Sequence, residues 1–439
     1  MTAQMRKRSL LICLDIEPDE REVNLSSASN WAGFEATFEL MQALRPRFRQ
    51  ATNAPVHYNW AIRMDPQIEQ AYGSADWCYH KYESILRILQ EEGDLIGLHV
   101  HPWRWDAPNH HWFSDCGDQA WVDYCVRLGF DAFRRTLGRT CPYFRFGDCW
   151  LNNATVSLLD RLGIPVDLTL EPGKPAVVYP RPHTGFQPDY GNVPRSAYRP
   201  NRNDHTKSGG IFRRRNIWML PITTVDFNNL TAKPNQRNST RLMDKNARLE
   251  GYIYSANELE ISGWVYDEAN PDVALSVDVW IDDQLHATLT ADLLRIDLLE
   301  AGIGNGRHAF HYHVPAALRD DREHVVRVQV TGSSILLRNT PQSVVFRRLN
   351  IPDYQSLNLI YSPPKLQSGF DVLLADNKCP YITWVARSDI GIARHRVDAV
   401  EATLQFILDH PQLSNFTFDT CHETLYRMGI TFAQQVIPA

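Results

Sequence analysis

Ser9-Leu10-Leu11-Ile12-Cys13-Leu14-Asp15-Ile16-Glu17 is the stretch of sequence that decides the fold class. Residues 9–14 form a continuous apolar run, which is typical of a parallel β-strand buried on both faces. Two carboxylates, Asp15 and Glu17, follow the run at once. In sheets built from such strands the chemistry collects at the carboxyl ends, so the stretch predicts an α/β fold with a polar site there.

Similar apolar runs alternate with helical patterns in the part of the chain before residue 228 and again after residue 352. The strand-like runs lie at 56–62, 97–101, 143–146, 165–170 and 217–222, and again at 357–361, 381–386 and 416–418. Helical spacing of apolar residues lies at 31–50, 78–92, 118–137, 154–162 and 395–410. This rhythm indicates βα units around a parallel sheet.

Residues 249–346 have a different character. They contain no cysteine and alternate in short runs separated by turn signals such as Asp282-Asp283 and Asn305-Gly306, which predicts a β-sandwich. A polar linker at 228–248 precedes them. The first segment supplies too few strands to close a barrel and the last supplies the missing ones. We therefore predict a barrel formed by 1–245 and 350–439, interrupted by an inserted sandwich at 249–346.

Composition narrows the functional classes. The chain has 439 residues, 44% of them hydrophobic, and a net charge of -6, which gives no reason to expect nucleic acid or an anionic membrane as a partner. Its eight cysteines show no Cys-x-x-Cys pair and no regular spacing. We therefore expect free, buried thiols, as in a protein of a reducing compartment. No stretch approaches the roughly 20 apolar residues of a membrane span. These features favour a cytoplasmic protein whose oligomeric state stays open.

Five consecutive strand-like runs end in charged or imidazole side chains, which the sheet would bring to one rim. His99 and His101 are two apart, so in an extended strand they project from the same face. We expect Asp65, Asp148 and Asp167 to line the pocket and Trp103 to bind substrate at its lip. The remaining members of the rim are Asp15, Glu17, Arg63, Arg145 and Glu171.

Two imidazoles and a carboxylate with open positions form a usual catalytic site for Zn²⁺, which lowers the pKa of its bound water. A spare carboxylate can act as general base on that water. An arginine such as Arg145 can orient the spare carboxylate through a charge-assisted pair. The sequence therefore predicts a divalent-metal site, most readily for Zn²⁺.

Asp15-Ile16-Glu17, a Gly-x-His segment, Phe-Arg145-x-Gly and Asp167 after a helix ending in Leu-Gly resemble the polysaccharide deacetylase (NodB-homology) superfamily, carbohydrate esterase family 4 in the wide sense. The resemblance covers about 1–225 and 355–439. It implies a distorted (β/α)7 barrel that removes acetyl groups from sugars with a metal-bound water. It also implies that Asp15 is the general base, Glu17 and His99 are metal ligands and Arg145 orients the base.

The chain departs from the family pattern at three points. The family places its two histidines four apart, but Trp103 follows His99 at that distance, so His101 would be the second ligand. The metal carboxylate is Glu17 rather than an aspartate, and Asp19 competes for that role. For the general acid near the chain end we take His422, with His183 and His205 as rivals.

We therefore expect a metal-dependent hydrolase that removes an acyl group from a sugar in bacterial surface polysaccharide biosynthesis. A nucleotide-linked or lipid-linked sugar is the expected substrate, and acyl transfer in place of hydrolysis stays open. Two alternatives remain. One is a metal-independent glycoside hydrolase with paired carboxylates. The other is a non-catalytic glycan-binding or scaffold protein with a degenerate site.

Overall fold

The computed structural model describes residues 7–28, 30–178, 186–229, 248–348, 353–359, 363–376, 380–388 and 394–431. The chain divides into two compact units. The first comprises residues 1–225, 354–361 and 375–439, and the second comprises 226–353 and 362–374. The fold is mixed α/β, as the alternation of strand and helix patterns predicts.

The helices of the described residues are α1 Ala32–Thr52, α2 Pro66–Tyr72, α3 Trp77–Lys81, α4 Glu83–Glu91, α5 Gln119–Leu137, α6 Asn153–Arg161, α7 Ile296–Glu300, α8 Pro363–Ala375, α9 Arg394–Asp409 and α10 Cys421–Arg427. Within this part of the chain, no helix has the length and apolarity needed to cross a bilayer.

The strands that precede the linker are β1 Arg8–Ile16, β2 Asn59–Arg63, β3 Leu95–Val100, β4 Trp103–Asp106, β5 His111–Ser114, β6 Phe144–Phe146, β7 Val166–Asp167, β8 Val177–Val178, β9 Phe186–Gln187, β10 Trp218–Met219 and β11 Thr224–Asp226. Those that follow it are β12 Leu249–Ala256, β13 Glu260–Asp267, β14 Ser276–Ile281, β15 Gln284–Thr290, β16 Leu293–Leu294, β17 Arg307–His313, β18 Glu323–Val330, β19 Gln342–Val345, β20 Tyr354–Asn358, β21 Tyr381–Arg387 and β22 Phe416–Phe418.

The first unit is built on a ten-stranded sheet in the order β10-β7-β6-β3-β2-β1-β21-β20-β11, with β22 pairing β1 beside this path. β1 lies at its centre and runs parallel to β2, β21 and β22. The strand path begins at β10 and ends at β11, which only the four residues 220–223 separate in the chain. The sheet therefore curls back towards itself as a half-barrel.

The concave face of this sheet changes from apolar to polar along the strands. Alternate residues of one strand share a face, so Leu11 and Cys13, which belong to a buried hydrophobic cluster, place Asp15 on the same side further along β1. Tyr143 belongs to the same cluster, and Arg145, two residues further along the chain, lies on the same side of the sheet. Side chains from β2, β7, β21, α10, the residue after β7 and the segment between β10 and β11 complete the apolar layer: Ala61, Val166, Leu168, Leu220, Ile222, Tyr381, Val385, Cys421 and Leu425. The polar rim thus stands on a packed floor.

The second unit contains two four-stranded sheets, β12-β13-β17-β16 and β15-β14-β18-β19. The neighbouring strands pair antiparallel. Buried residues of both sheets form one hydrophobic cluster, with Ile261, Val265 and Phe310 from the first sheet and Val279 and Val328 from the second. The predicted sandwich boundaries at 249 and 346 stay predictions.

Candidate metal centre at the carboxyl ends of the strands

Three buried side chains converge at the carboxyl edge of the curled sheet. Glu17 follows β1, His99 belongs to β3 and His101 follows it. The Nε2 atoms of the two imidazoles lie 3.0 Å apart. The Glu17 Oε1 lies 3.4 Å from Nε2 of His99, and its Oε2 lies 3.5 Å from Nε2 of His101. The predicted ligands therefore form one compact group.

The outer nitrogens of both imidazoles face acceptors. Nδ1 of His99 lies 2.9 Å from the carbonyl oxygen of Arg145, which can only accept a hydrogen bond. Nδ1 of His101 faces Oδ2 of Asp148 at 3.4 Å. These partners favour the tautomers that carry hydrogen on Nδ1, because a second ring nitrogen's partner fixes the tautomer of a ligating histidine. Both Nε2 lone pairs then point at the same small space.

The two Nε2 atoms lie 3.0 Å apart. With hydrogen on both Nδ1 atoms, their lone pairs repel each other unless a proton or a cation lies between them. Tetrahedral zinc, with bonds of about 2.0–2.1 Å, would hold its ligand atoms about 3.3–3.4 Å apart. The distances of 3.4 and 3.5 Å to Glu17 match this spacing. The donor set of two imidazoles and one carboxylate therefore fits a divalent metal with an open position.

The Glu17 carboxylate is held ionised by its neighbours. Burial raises the pKa of this carboxyl, but the charge of Arg387 and contacts with His101 and His99 keep it well below its ordinary value. Arg63 donates to Oε2 at 3.2 Å. The backbone N–H of Glu17 donates to Oγ of Ser388 at 2.8 Å, which fixes the residue beyond the end of β1.

Asp65 supports the centre from behind and does not reach the pocket. It is fully buried, accepts from Arg63 Nε at 2.8 Å and accepts from the His101 backbone N–H at 3.0 Å. Its other oxygen caps α2 through the N–H groups of Gln67 and Ile68. The structure therefore places Asp65 outside the pocket lining, where we expected it to bind substrate.

Asp15 and Arg145 form a second buried pair at the same edge. Arg145 Nε donates to both carboxylate oxygens, at 2.9 and 3.1 Å, and its Nη1 donates to the Leu168 carbonyl at 2.8 Å. Burial lowers the pKa of the guanidinium, but the charge of Asp15 raises it above the ordinary value. Because Arg145 is anchored on β7, it holds the carboxylate of Asp15 in one orientation.

Asp148 stands beside the centre in an uncommon backbone conformation. Its φ of 55° and that of Cys149 at 56° lie in the left-handed region, where non-glycine residues cluster at functional sites. Arg21 pairs with Oδ1 of Asp148 at 2.6 Å. Burial raises the pKa of the Asp148 carboxyl, but the charge and hydrogen bond of His101 lower it below the ordinary value.

These groups open onto one pocket of about 180 Å³. The sequence did not single out three of its lining residues, Arg21, Lys174 and Arg387. Arg387 had a readable signal, because it follows directly after the strand-like run 381–386, and the register places it opposite Asp15. The other lining residues are Asp15, Glu17, His99, His101, Arg145, Phe146, Gly147, Asp148, Cys149, Glu171, Ser356, Asn358, Val385 and Ala386.

Two expected substrate-binding residues are corrected by the structure. Trp103 is fully buried, and its ring stacks on the His101 imidazole with ring centroids 6.3 Å apart and an interplanar angle of 28°, so it offers no face to a sugar. Asp167 lies between Val166 and Leu168, which both belong to the inner cluster. Asp167 therefore faces the other side of the sheet, where it accepts from the Thr169 hydroxyl at 2.9 Å.

The expected general acid and the rival ligand also lie elsewhere. His422 is on α10, and its Nε2 lies 2.9 Å from the carbonyl of Pro142, before the start of β6. That position is at the amino edge of the sheet, which corrects the proposed role of His422. Asp19 caps α1 through the N–H groups of Ala32 and Gly33 at 3.0 and 2.8 Å, so Glu17 is the better candidate ligand.

The two rival histidines can be placed in part. His205 is buried and does not line the pocket, and burial lowers the pKa of its imidazole to about 4. His183 lies outside the described residues.

No family model matches the chain, and no curated protein matches it. A Mycobacterium smegmatis structure assigned to the polysaccharide deacetylases aligns over 100% of this chain and 97% of its own, with 9% identity and a TM-score of 0.36. The family 4 carbohydrate esterase of Streptomyces lividans aligns over 37% of this chain and 63% of its own, with 14% identity and a TM-score of 0.23. BA3943, a CE4 family pseudoenzyme from Bacillus anthracis, aligns over 37% and 44%, with 7% identity and a TM-score of 0.23.

Proposed function

We propose that this protein is a metal-dependent hydrolase that removes an acyl group from a sugar, as an atypical member of the polysaccharide deacetylase superfamily. In this proposal the curled sheet is a distorted (β/α)7 barrel and 249–346 is an inserted β-sandwich. The observation that carries the proposal is the close approach of the Nε2 atoms of His99 and His101, which lie 3.0 Å apart with the Glu17 carboxylate beside both. The pathway, surface polysaccharide biosynthesis, stays a prediction of the sequence resemblance.

Five polar residues at this edge of the sheet have distinct parts in the proposed reaction. A bound Zn²⁺ would supply a water of lowered pKa and polarise the acyl carbonyl. Asp15 takes a proton from the attacking water, and Arg145 keeps the carboxylate of Asp15 oriented for that transfer. Arg63 and Arg387 keep Glu17 ionised, so that it stays a ligand.

Glycoside hydrolysis by paired carboxylates is less well supported. That reaction requires one carboxylic acid that stays protonated as general acid while a second carboxylate is ionised. The two carboxylates nearest the candidate metal centre each pair with an arginine, Asp15 with Arg145 and Glu17 with Arg63. Asp167, whose pKa burial raises to about 7, faces away from the pocket. The pocket therefore lacks a suitable acid at its two central carboxylates.

Metal content tests the proposal without relying on activity. We expect purified protein loaded with Zn²⁺ to retain about one equivalent after dialysis, measured by elemental analysis. His99→Ala and Glu17→Ala should each lose most of it. His80→Ala is the matched control, because His80 is largely exposed on α3 and remote from the rim in sequence. Equal zinc in all four proteins, or none in any, would contradict the proposal.

Acyl hydrolysis is tested by acetate release from acetylated sugars and from 4-nitrophenyl acetate. We expect turnover that falls on exhaustive chelation and returns with added Zn²⁺. Full activity after chelation would favour the paired-carboxylate reaction. A protein that retains sugar binding in His99→Ala and releases no acetate would be the non-catalytic glycan-binding protein instead.

A further inference from the structure

Amide or alkyl ester cleavage needs a proton for the departing nitrogen or oxygen, and the structure does not bring His422 to the pocket. Among the residues that the structure describes, the candidates for this proton are the other groups that line the pocket. Arginines do not release protons at working pH, which removes Arg21, Arg145 and Arg387. Asp15, Glu17 and the two histidines already have parts in the reaction.

The remaining ionisable groups of the lining are Asp148, Cys149, Glu171 and Lys174. Asp148 pairs with Arg21, and Glu171 pairs with the ammonium of Lys174, so both carboxylates are held by cations and are poor proton donors. Burial raises the pKa of the Cys149 thiol to about 12, which makes it a weak acid. Lys174 is the group that both carries a proton at neutral pH and can release it.

Lys174 is held in place by its own turn. The segment Glu171-Pro172-Gly173-Lys174 follows β7, and Gly173 has a φ of 92°. A β-carbon at Gly173 would lie 2.5 Å from the Tyr354 ring, so only glycine fits there. The backbone N–H of Tyr190 donates to the Lys174 carbonyl at 2.8 Å, and that of Gly173 donates to the Tyr190 carbonyl at 2.9 Å.

The ammonium of Lys174 pairs with Glu171, whose side chain is almost fully buried, while the Lys174 side chain stays 15% exposed. The Cys149 thiol donates to the other oxygen of Glu171 at 3.0 Å. Burying an ion pair costs desolvation energy and is weak evidence for a role in stability. A buried carboxylate that fixes a partly exposed ammonium at a pocket wall is better explained by a role in that pocket.

We propose that Lys174 is the general acid of the reaction, an assignment that rests on the proposed function. After water attacks the acyl carbon, the bond from that carbon to the sugar nitrogen or oxygen breaks. The departing atom takes a proton from the Lys174 ammonium, which becomes a neutral amine. The proton that Asp15 removed from water restores the ammonium through solvent, so the cycle releases one carboxylic acid and one amine or alcohol.

The test compares two esters that share an acetyl group and differ in the leaving group. 4-Nitrophenoxide departs as a stable anion, whereas ethoxide from ethyl acetate needs a proton. We expect Lys174→Met to lower kcat/KM for ethyl acetate about 10²-fold or more, the usual worth of a general acid, and to leave 4-nitrophenyl acetate within about threefold. Lys174→Arg, which keeps the charge and cannot release a proton, should behave in the same way.

Lys207→Met is the matched control, because Lys207 also forms an i,i+3 pair, with Asp204, but is largely exposed and does not line the pocket. It should retain both activities. Equal losses on both esters in Lys174→Met, or no loss on either, would overturn the assignment and leave the metal-dependent hydrolase standing. A wild-type protein that holds no zinc and cleaves neither ester would refute the proposed function and the role of Lys174 together.

Discussion

At the scale of single residues, the centre depends on what the ligands touch on their outer side. His99 is oriented by a backbone carbonyl, whereas His101 is oriented by the side chain of Asp148. Asp148 is itself fixed by Arg21 at 2.6 Å and by its left-handed backbone. Partners of this kind orient ligating histidines and raise their basicity, so Asp148 should influence metal affinity without touching the metal.

We expect Asp148→Asn to weaken Zn²⁺ binding about 10- to 100-fold, the usual effect of losing such a partner. Asparagine tolerates the left-handed conformation, so the variant should keep the fold and its thermal unfolding temperature in the metal-free state. Competition with a chromogenic chelator measures the affinity. Asp123→Asn, a change on α5 outside the pocket lining, is the control. Unchanged affinity in Asp148→Asn would show that His101 is oriented without it.

The sequence predicted Glu17, His99 and His101 as neighbours because each follows or ends an apolar run. It did not predict which face Asp167 and Trp103 occupy. Strands that are buried on both faces carry no alternation of polar and apolar residues, so the parity that turns Asp167 away from the pocket cannot be read from the runs. Trp103 begins β4, a strand that no apolar run predicts.

At the scale of elements, the start of α2 links the fold to the site. Asp65 caps this helix and also binds Arg63 and the backbone of His101. One carboxylate therefore caps the helix, pairs with the buried Arg63 and accepts a hydrogen bond from the segment that carries His101. Its complete burial distinguishes it from Asp118, which caps α5 through Ala120 and Trp121 but has a side chain that is 44% exposed.

We expect Asp65→Ala to lower the free energy of unfolding by about 3–5 kcal/mol, because it removes one partner of a buried ion pair. Asp118→Ala should cost clearly less, because both its cap and its ion pair with Arg104 are exposed to solvent. Urea unfolding followed by circular dichroism at one metal-free condition compares the two. Equal costs would mean that the Arg63 contact adds nothing to the cap.

Element boundaries were predictable where a periodic pattern ends in a strong stop. The pattern at 118–137 became α5, Gln119–Leu137, closed by Gly138 in the left-handed conformation. The pattern at 78–92 became two helices, α3 and α4, because Tyr82 leaves the helical region with a φ of -118°. Buried Tyr82 accepts a hydrogen bond from the Trp31 N–H at 3.0 Å, a tertiary contact that spacing alone cannot reveal.

At the scale of the whole molecule, the first and last parts of the chain build one sheet. β21 and β22 both pair with β1, although 364 residues lie between the end of β1 at Ile16 and the start of β21 at Tyr381. The return of the strand rhythm after residue 350 indicated this arrangement, because the early strands alone could not close the sheet. No single apolar run predicts the curvature of the sheet, because the curvature depends on how β10 and β11 approach each other.

The amino edge of this sheet carries a second link between distant parts of the chain, the pair of His57 and Glu423 at 2.9 Å. The hydrogen bond to Glu423 raises the pKa of His57 against burial, with Asp94 adding to the rise and Arg45 opposing it. Burial raises the pKa of Glu423, but the contact with His57 holds it below the ordinary value. Between these two pKa values, the imidazole of His57 is protonated while the carboxylate of Glu423 is ionised.

This range gives a prediction with a definite sign. A raised histidine pKa contributes stability that is complete below the ordinary histidine pKa of 6.5 and is lost as pH rises through the folded pKa. A lowered glutamate pKa contributes stability that is present above 4.5 and is lost as pH falls through the folded pKa. The pair should therefore stabilise the fold most between these two values and little at alkaline pH.

We expect the melting temperature of Glu423→Gln to fall below that of the wild type at about pH 5.5 and to match it at about pH 8.5. Glutamine can keep the capping box with Thr420 while it removes the charge, so the change isolates the ion pair. His57→Gln should show the same dependence, with a loss of about 0.5 kcal/mol because Glu423 is 41% exposed. Differential scanning fluorimetry of the three proteins checks this, and a deficit that is equal at both pH values would mean that neutral contacts hold the two ends of the chain together.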